Sequence, residues 1–172
     1  MVVSSWTKAC VSSPGARLLE VCLIVDQGIA ARVLHAVGDP DYGPVREALF
    51  DPDHPARLVY GGQLAREYRG SEQTIQALVE LTRRNKARLI GDAQLERHES
   101  QLTRSGQCRS NDIGILALAL ASGARLLCSP DRDLQADFTN KRLIDAPRGK
   151  VYQSASHKSL LRRPCRPGRS GR

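Results

Sequence analysis

Residues 21–26, VCLIVD, decide the fold class of this chain. Five apolar residues, three of them β-branched, follow one another without alternation and end on Asp26. Such a run is typical of a strand that is covered on both faces, as in a parallel sheet. Residues 28–37 come next, and their apolar positions repeat at helical spacing. This part of the chain therefore predicts a buried strand joined to a helix.

The alternation of short apolar strands with helices continues along the chain. Further strands are predicted at residues 57–60, 87–90, 124–129 and 150–153. Helices are predicted around residues 45–50, 63–70, 74–86, 92–106 and 130–138, and from Ser110 as N-cap to Gly123. The order predicts an α/β protein, specifically a three-layer α/β/α sandwich around a mostly parallel central sheet.

Length and charge divide the chain into three parts. With 172 residues and 41% hydrophobic residues, one globular domain is expected. We expect a flexible lead over residues 1–19, a domain over 20–155 and a basic tail over 156–172. Residues 141–172 carry a net charge of +9, and the rest of the chain carries −1. A basic end on a near-neutral body indicates a polyanion partner, or else a solubilising tail.

Composition excludes several classes of protein. Aromatic residues are only 4%, which argues against a surface of stacked aromatics for single strands. Five scattered cysteines without a CxxC pair fit neither a disulfide framework nor a zinc knuckle, and they favour a reducing cytoplasm. Cys22 and Cys128 lie in apolar runs and are predicted to be small buried residues. No secretory signal or bilayer-spanning stretch is evident, so no membrane partner is expected.

Four acidic residues are predicted to meet at one edge of the sheet. Asp26 ends the first strand, Asp131 closely follows the strand at 124–129, and Asp112 opens the helix that leads into that strand. Glu67 lies near the apolar side of its helix. In an open parallel sheet, ligands bind beyond the carboxyl ends of the strands.

Each acid also has an ordinary explanation. Asp26 could cap the following helix, Asp112 could favour the positive end of its helix, and Asp131 could belong to a turn. Glu67 could pair with Arg66 or Arg69. Four such coincidences at one edge are less plausible than one shared Mg²⁺ or Mn²⁺, because clustered carboxylates repel and hard cations prefer oxygen ligands.

In order and spacing, these residues resemble the PIN-domain ribonucleases over about residues 21–153. The resemblance rests on Asp26 after a strand, Glu67 on a helix, Asn111-Asp112-Ile113 opening an apolar helix, and the segment SPDRDL at 129–134. It implies an α/β/α fold and an endoribonuclease that uses Mg²⁺ or Mn²⁺. Many small bacterial members are toxins of toxin–antitoxin modules, of the VapC type.

The resemblance also implies a role for individual residues. Asp26, Glu67, Asp112 and Asp131 would be the catalytic, metal-binding acids. Asp133, Ser129 and Asn111 would be accessory residues. The family commonly has Thr or Ser after the first acid, whereas this chain has Gln27-Gly28. That difference removes a hydroxyl and bears on substrate geometry more than on the metal site.

The basic residues predict a nucleic-acid partner, and the resemblance implies protein partners. Lys150, Lys158, Arg162 and Arg163 are predicted to contact RNA phosphates without reading sequence. An antitoxin-like inhibitor protein and a homodimer are implied by the resemblance alone.

Other activities fit the residues less well. A phosphoryl-aspartate hydrolase needs a second Asp two residues after Asp26, where this chain has Gly28. A dinucleotide-binding domain needs a glycine-rich turn there, and Gly28 is the only nearby glycine. The main alternative is a non-catalytic PIN-like module that binds RNA or protein.

Overall fold

A sheet of five parallel strands forms the centre of the molecule. The computed structural model describes residues 20–162. The strands are β1 (Val21–Val25), β2 (Ala56–Gly61), β3 (Ala87–Ile90), β4 (Leu126–Cys128) and β5 (Lys150–Val151), in the order β3-β2-β1-β4-β5.

Helices connect the strands and cover the sheet. They are α1 (Gln27–Leu34), α2 (Gly43–Phe50), α3 (Gly62–Tyr68), α4 (Glu72–Arg83), α5 (Asp92–Ser105), α6 (Ile113–Ser122) and α7 (Arg132–Phe138), with 3-10 helices at Pro40–Tyr42 and Ala155–Arg162. Helix α1 packs with α2 and α4, whereas α5 packs with α6. The chain runs β1 to β2 to β3 in one direction and then back past β1 to β4, and right-handed crossovers therefore put these two helix groups on opposite faces. The α/β fold is confirmed, and the arrangement fits the three-layer sandwich.

Burial of the central elements explains why their sequences are apolar. All five residues of β1 are buried, and β1 lies between β2 and β4. Helix α6 is buried over five consecutive residues, 115–119, and so has no polar face. Cys22 and Cys128 are buried, as predicted. The unbroken apolar runs therefore follow from contact on every side.

The reversal of direction makes the pair β1 and β4 the topological switch point of the sheet. The connection that leaves β1 goes to one side of the sheet, and the connection into β4 arrives from the other side. At such a switch point the loops at the carboxyl ends of the two strands diverge, and ligands of α/β sheets bind there. Asp26 and Ser129 are the residues that follow these two strands.

The prediction that Ser110 caps α6 is wrong. The N-cap is Asp112, and α6 begins at Ile113. The Ser110 hydroxyl instead accepts a hydrogen bond from the Asp112 N–H, at 3.0 Å. The Ser110 N–H is bonded to the Asp137 carboxylate, which holds Ser110 in the loop before the helix.

A 3-10 helix over Ala155–Arg162 includes the last residue of the predicted domain and the first seven residues of the predicted basic tail. This helix packs against α2, and its Leu161 is buried. Residues 1–19 and 163–172 lie outside the described residues, and with them the predicted lead, the end of the tail and Arg163. Within residues 20–162, no helix combines the length and the apolar character that crossing a membrane requires.

Candidate functional site

Asp26 lies at the carboxyl end of β1 with its side chain turned toward β4. Its backbone N–H donates to the Cys128 carbonyl at 2.9 Å. Asp26 is the N-cap residue of α1, yet its carboxylate caps no N–H of that helix. The Oδ2 atom accepts instead from the Ser129 hydroxyl, at 2.6 Å. The capping explanation for this acid is therefore not supported.

Ser129 connects Asp26 to Asp131. It is only 1% exposed, and its Oγ accepts from the Asp131 N–H at 3.1 Å while donating to Asp26. Asp131 is the N-cap of α7, and its Oδ1 accepts from the backbone N–H groups of Asp133 and Leu134 at 2.8 and 3.0 Å. One oxygen of Asp131 thus has the ordinary capping role.

Asp112 lies close enough to the other three acids for their charges to act on it. Burial raises its pKa, and so do the charges of Asp26, Asp131 and Glu67, although the residue as a whole is exposed. Asp112 occupies the N-cap position of α6 without a side-chain cap. Within residues 20–162 its carboxylate accepts no hydrogen bond, so it keeps its full capacity to accept from another group.

Glu67 lies on α3 and is exposed. Its Oε1 accepts from the Gln63 side-chain amide at 3.0 Å, and it forms no ion pair with Arg66 or Arg69. The next residue, Tyr68, is fully buried and donates its hydroxyl to the Val25 carbonyl. This bond ties α3 to the end of β1, which places Glu67 at the same edge as Asp26.

Within residues 20–162, no Lys or Arg forms an ion pair with any of the four acids. Among residues 20–162, ion pairs join Arg32 to Asp39, Arg57 to Glu20 and Arg84 to Glu80, and none involves the site. The carboxylates are near one another without being gathered around one point. Within the same residues, no three His, Cys, Asp or Glu side chains are close enough to hold a metal ion as they stand.

The other predicted site residues are spread over the surface. Asn111 and Asp133 are exposed neighbours of Asp112 and Asp131. Lys150 lies opposite Leu126, the first residue of β4, and is therefore at the amino edge of the sheet, away from the acids.

The remaining predicted RNA contacts lie on or beyond the C-terminal 3-10 helix. Burial lowers the pKa of His54, in the turn before β2, and the charges of Lys86 and Arg162 lower it further. Arg162 therefore also lies toward the amino edge of the sheet. Lys158 is exposed on that helix.

Asp137 is a residue of the site region that sequence reasoning missed. It is 1% exposed, and its Oδ2 accepts from the backbone N–H groups of Arg109 and Ser110, both at 2.8 Å. A signal was present in the sequence: Asp137 falls between Leu134 and Phe138 on the apolar stripe of α7. An acid on an apolar stripe is costly unless it is hydrogen-bonded.

No family model matches this chain, and no curated protein matches it significantly. The similarity to PIN-domain ribonucleases therefore stays an expectation from residue order and spacing.

Replacing Asp131 by alanine is expected to lower the free energy of unfolding by about 1 kcal/mol, because α7 loses its N-cap. Asp131→Asn keeps a side-chain oxygen for the Asp133 and Leu134 N–H groups and should retain most of the stability. Urea unfolding of both variants measures the difference. Equal losses in the two variants would show that the capping bonds contribute nothing.

Asp112→Asn is expected to stabilise the metal-free protein at pH 7. The pKa of Asp112 in the folded state lies above its ordinary value of 3.8. Ionisation of Asp112 is therefore easier in the unfolded chain, so it lowers the free energy of unfolding. This loss is absent at a pH below the ordinary carboxyl pKa, where the group is protonated in both states, and it develops as the pH rises through the folded-state pKa. The gain should be small, because water screens an exposed carboxylate.

Thermal unfolding in EDTA at pH 3 and pH 7 tests this expectation. The melting temperature of Asp112→Asn should exceed that of the wild type at pH 7 and match it at pH 3. A variant that melts below the wild type at pH 7 would contradict the repulsion assigned to this edge.

Proposed function

We propose that this protein is a metal-dependent endoribonuclease whose active site is formed by Asp26, Glu67, Asp112 and Asp131. The observation that carries the proposal is the direction of two carboxylates. Asp26 and Asp112 both occupy N-cap positions, yet neither caps its helix. Asp112 is also repelled by the other three acids, and within residues 20–162 no Lys or Arg pairs with any of them.

The donor set suits Mg²⁺ or Mn²⁺. All four side chains offer carboxylate oxygens, which these ions prefer over sulfur or imidazole ligands. Bound cation would supply a nucleophilic water at neutral pH and would neutralise charge on the phosphate oxygens. Asp112 and Glu67 are exposed, so binding of a cation would require their side chains to rotate toward it. The lack of a preformed cluster is thus compatible with binding by rearrangement of surface side chains.

The surrounding residues orient the acids. Ser129 donates to one oxygen of Asp26, which leaves the other oxygen for a ligand. The same hydroxyl holds the backbone of Asp131, so the two acids keep a constant separation. Tyr68 fixes the carbonyl just before Asp26. These contacts stiffen one half of the site, formed by β1 and β4.

RNA is the proposed substrate because positive charge flanks the acids. Arg66, Arg109 and Arg132 adjoin or closely precede Glu67, Asp112 and Asp131 in sequence. All three arginines are exposed, and within residues 20–162 none forms an ion pair. They are better placed for phosphates near the site than Lys150 or Arg162, which lie toward the opposite edge.

Calorimetric titration with Mn²⁺, combined with an RNA cleavage assay, tests the proposal. We expect saturable Mn²⁺ binding and cleavage of unstructured RNA that stops in EDTA and returns with Mg²⁺ or Mn²⁺. The absence of both binding and cleavage in the folded protein would refute it.

The second candidate function is a PIN-like module that binds RNA or protein without cleaving. It is favoured by the separation of the carboxylates, no three of which form a metal-sized group within residues 20–162. Binding of RNA in EDTA, with no heat from Mn²⁺ and no cleavage, would support this alternative. An inhibitor protein, a homodimer and a cytoplasmic location remain expectations of the resemblance and of the cysteine content.

A further inference from the structure

The loop before α6 is held in place by a carboxylate from another helix. Asp137, on α7, is as buried as the residues of the hydrophobic core. A single oxygen of its side chain accepts two consecutive backbone N–H groups, those of Arg109 and Ser110, at 2.8 Å each. These groups are 28 and 27 residues away in sequence, so the contact is formed only by the tertiary fold.

The effect of this contact passes along the chain to Asp112. Once the Ser110 N–H is bound to Asp137, the Ser110 hydroxyl accepts the Asp112 N–H at 3.0 Å. The Asp112 carbonyl then accepts the Ile115 N–H at 3.1 Å, within the first turn of α6. Three successive hydrogen bonds thus set the backbone from which the Asp112 side chain projects.

Helix α7 links Asp131, one of the proposed metal-binding acids, to the loop that carries Asp112, another of them. Its N-cap is Asp131, at the carboxyl edge of the sheet, and Asp137 lies near its other end. A seven-residue helix held at both ends behaves as a short rigid rod, about 10 Å long. The position of Asp112 is therefore linked to that of Asp131 through α7, although the two acids belong to different loops.

A carboxylate is an uncommon choice for a position as buried as residue 137. Asn or Ser could also accept backbone N–H groups, and a buried carboxylate costs more to desolvate than either. Hydrogen bonds from two N–H groups to an ionised oxygen are stronger than those to a neutral one. The two backbone N–H groups that bond to one oxygen of Asp137 therefore satisfy this buried side chain and hold the loop.

We propose that Asp137 is a positioning residue for the site, and that its carboxylate fixes the loop at residues 109–112 so that Asp112 can share a divalent cation with Asp26 and Asp131. The inference rests on the proposed function, since it assigns Asp137 to the metal site described above. Asp137 itself is too deeply buried to touch the cation or the RNA.

The test compares Asp137→Ala with Asp137→Asn in the full chain. Alanine removes both hydrogen bonds, whereas the asparagine oxygen can accept the same two N–H groups. Loss of a group that hydrogen-bonds directly to a metal ligand typically weakens metal binding about 10- to 100-fold, and because Asp137 acts on Asp112 through Ser110, the lower end, about 10-fold, applies here. We expect a loss of this size in Mn²⁺ affinity for Asp137→Ala, and substantial rescue by Asp137→Asn.

Two further variants separate positioning from loss of stability. Phe138→Leu removes volume from the adjacent buried residue and leaves both hydrogen bonds, so it should destabilise the fold without changing Mn²⁺ affinity. Ser110→Ala removes only the acceptor of the Asp112 N–H and should weaken Mn²⁺ binding. If Asp137→Ala does not fold, Asp137→Asn and Ser110→Ala carry the test.

Amide hydrogen exchange provides a second readout that needs no metal. The Arg109 and Ser110 amides should be protected in the wild type, Asp137→Asn and Phe138→Leu, and should exchange fast in Asp137→Ala. A folded Asp137→Ala that binds Mn²⁺ as tightly as the wild type overturns the inference. If the wild type binds no Mn²⁺, the proposed function and this role both fail, while the exchange data still show whether Asp137 holds the loop.

Discussion

Asp26→Asn is expected to abolish Mn²⁺-dependent RNA cleavage in a protein that stays folded. Asparagine has nearly the same shape, and its side-chain oxygen can still accept the Ser129 hydroxyl. What is lost is the negative charge that would bind the cation. Metal-ion catalysis supplies several kcal/mol, and 1.36 kcal/mol corresponds to tenfold in rate, so the loss of activity should be at least about 100-fold.

The measurement is the cleavage rate of a labelled RNA with and without Mn²⁺, together with the melting temperature of each variant. Asp53→Asn is the matched control. Asp53 is an exposed acid in the turn before β2, at the amino edge of the sheet, and its replacement should leave cleavage unchanged. Wild-type cleavage by Asp26→Asn would remove Asp26 from the active site.

Gly149→Ala is expected to produce the largest loss of stability of any substitution considered for this protein. A Cβ atom at Gly149 would lie 2.6 Å from Cδ1 and 2.8 Å from Cε1 of Phe138, and nearer still to the Phe138 carbonyl oxygen. The side chain of Phe138 is fully buried, and its carbonyl belongs to α7, so neither can move without disturbing the core. Overpacking of this kind typically costs about 1–3 kcal/mol and occasionally more.

We therefore expect the free energy of unfolding to fall by about 3 kcal/mol, and the melting temperature by roughly 6–12 °C. Gly43→Ala is the matched control, because a Cβ atom there meets nothing within 4 Å and the backbone is already helical, with φ −47° and ψ −50°. That change should stabilise the protein by about 0.4–1 kcal/mol. A Gly149→Ala protein as stable as the wild type would contradict the close packing of Gly149, the residue before β5, against Phe138 at the end of α7.

The same carboxylates that would bind a cation lower the stability of the metal-free protein. Within residues 20–162, no ion pair offsets the charge of the four acids at this edge. Burial raises the pKa of Asp112, and the charges of Asp26, Asp131 and Glu67 raise it further. A bound divalent cation would offset these charges and would stabilise the folded state by mass action. Metal-induced stabilisation and cleavage should therefore disappear together in the Asp26 variant.

Most of the fold was predictable from local sequence. The unbroken apolar runs at β1 and β4 predict strands covered on both faces, and the apolar segment closed by Gly123 predicts the buried helix α6. Boundaries were less predictable where a distant group competes for the backbone. Ser110 looks like an N-cap in the sequence, but Asp137 holds its N–H, and the helix therefore begins at Ile113.

The sequence by itself determined which acids follow strands, because a strand and the residue after it are neighbours in the chain. Only the tertiary structure decided where their side chains point: Asp26 bonds to Ser129, which lies 103 residues later, whereas Asp131 caps its own helix. It also decided that Asp137 is buried beneath the loop before Asp112. Local patterns reflect the backbone conformation of neighbouring residues, whereas the partner of a polar side chain depends on which distant segments the fold brings within about 3 Å.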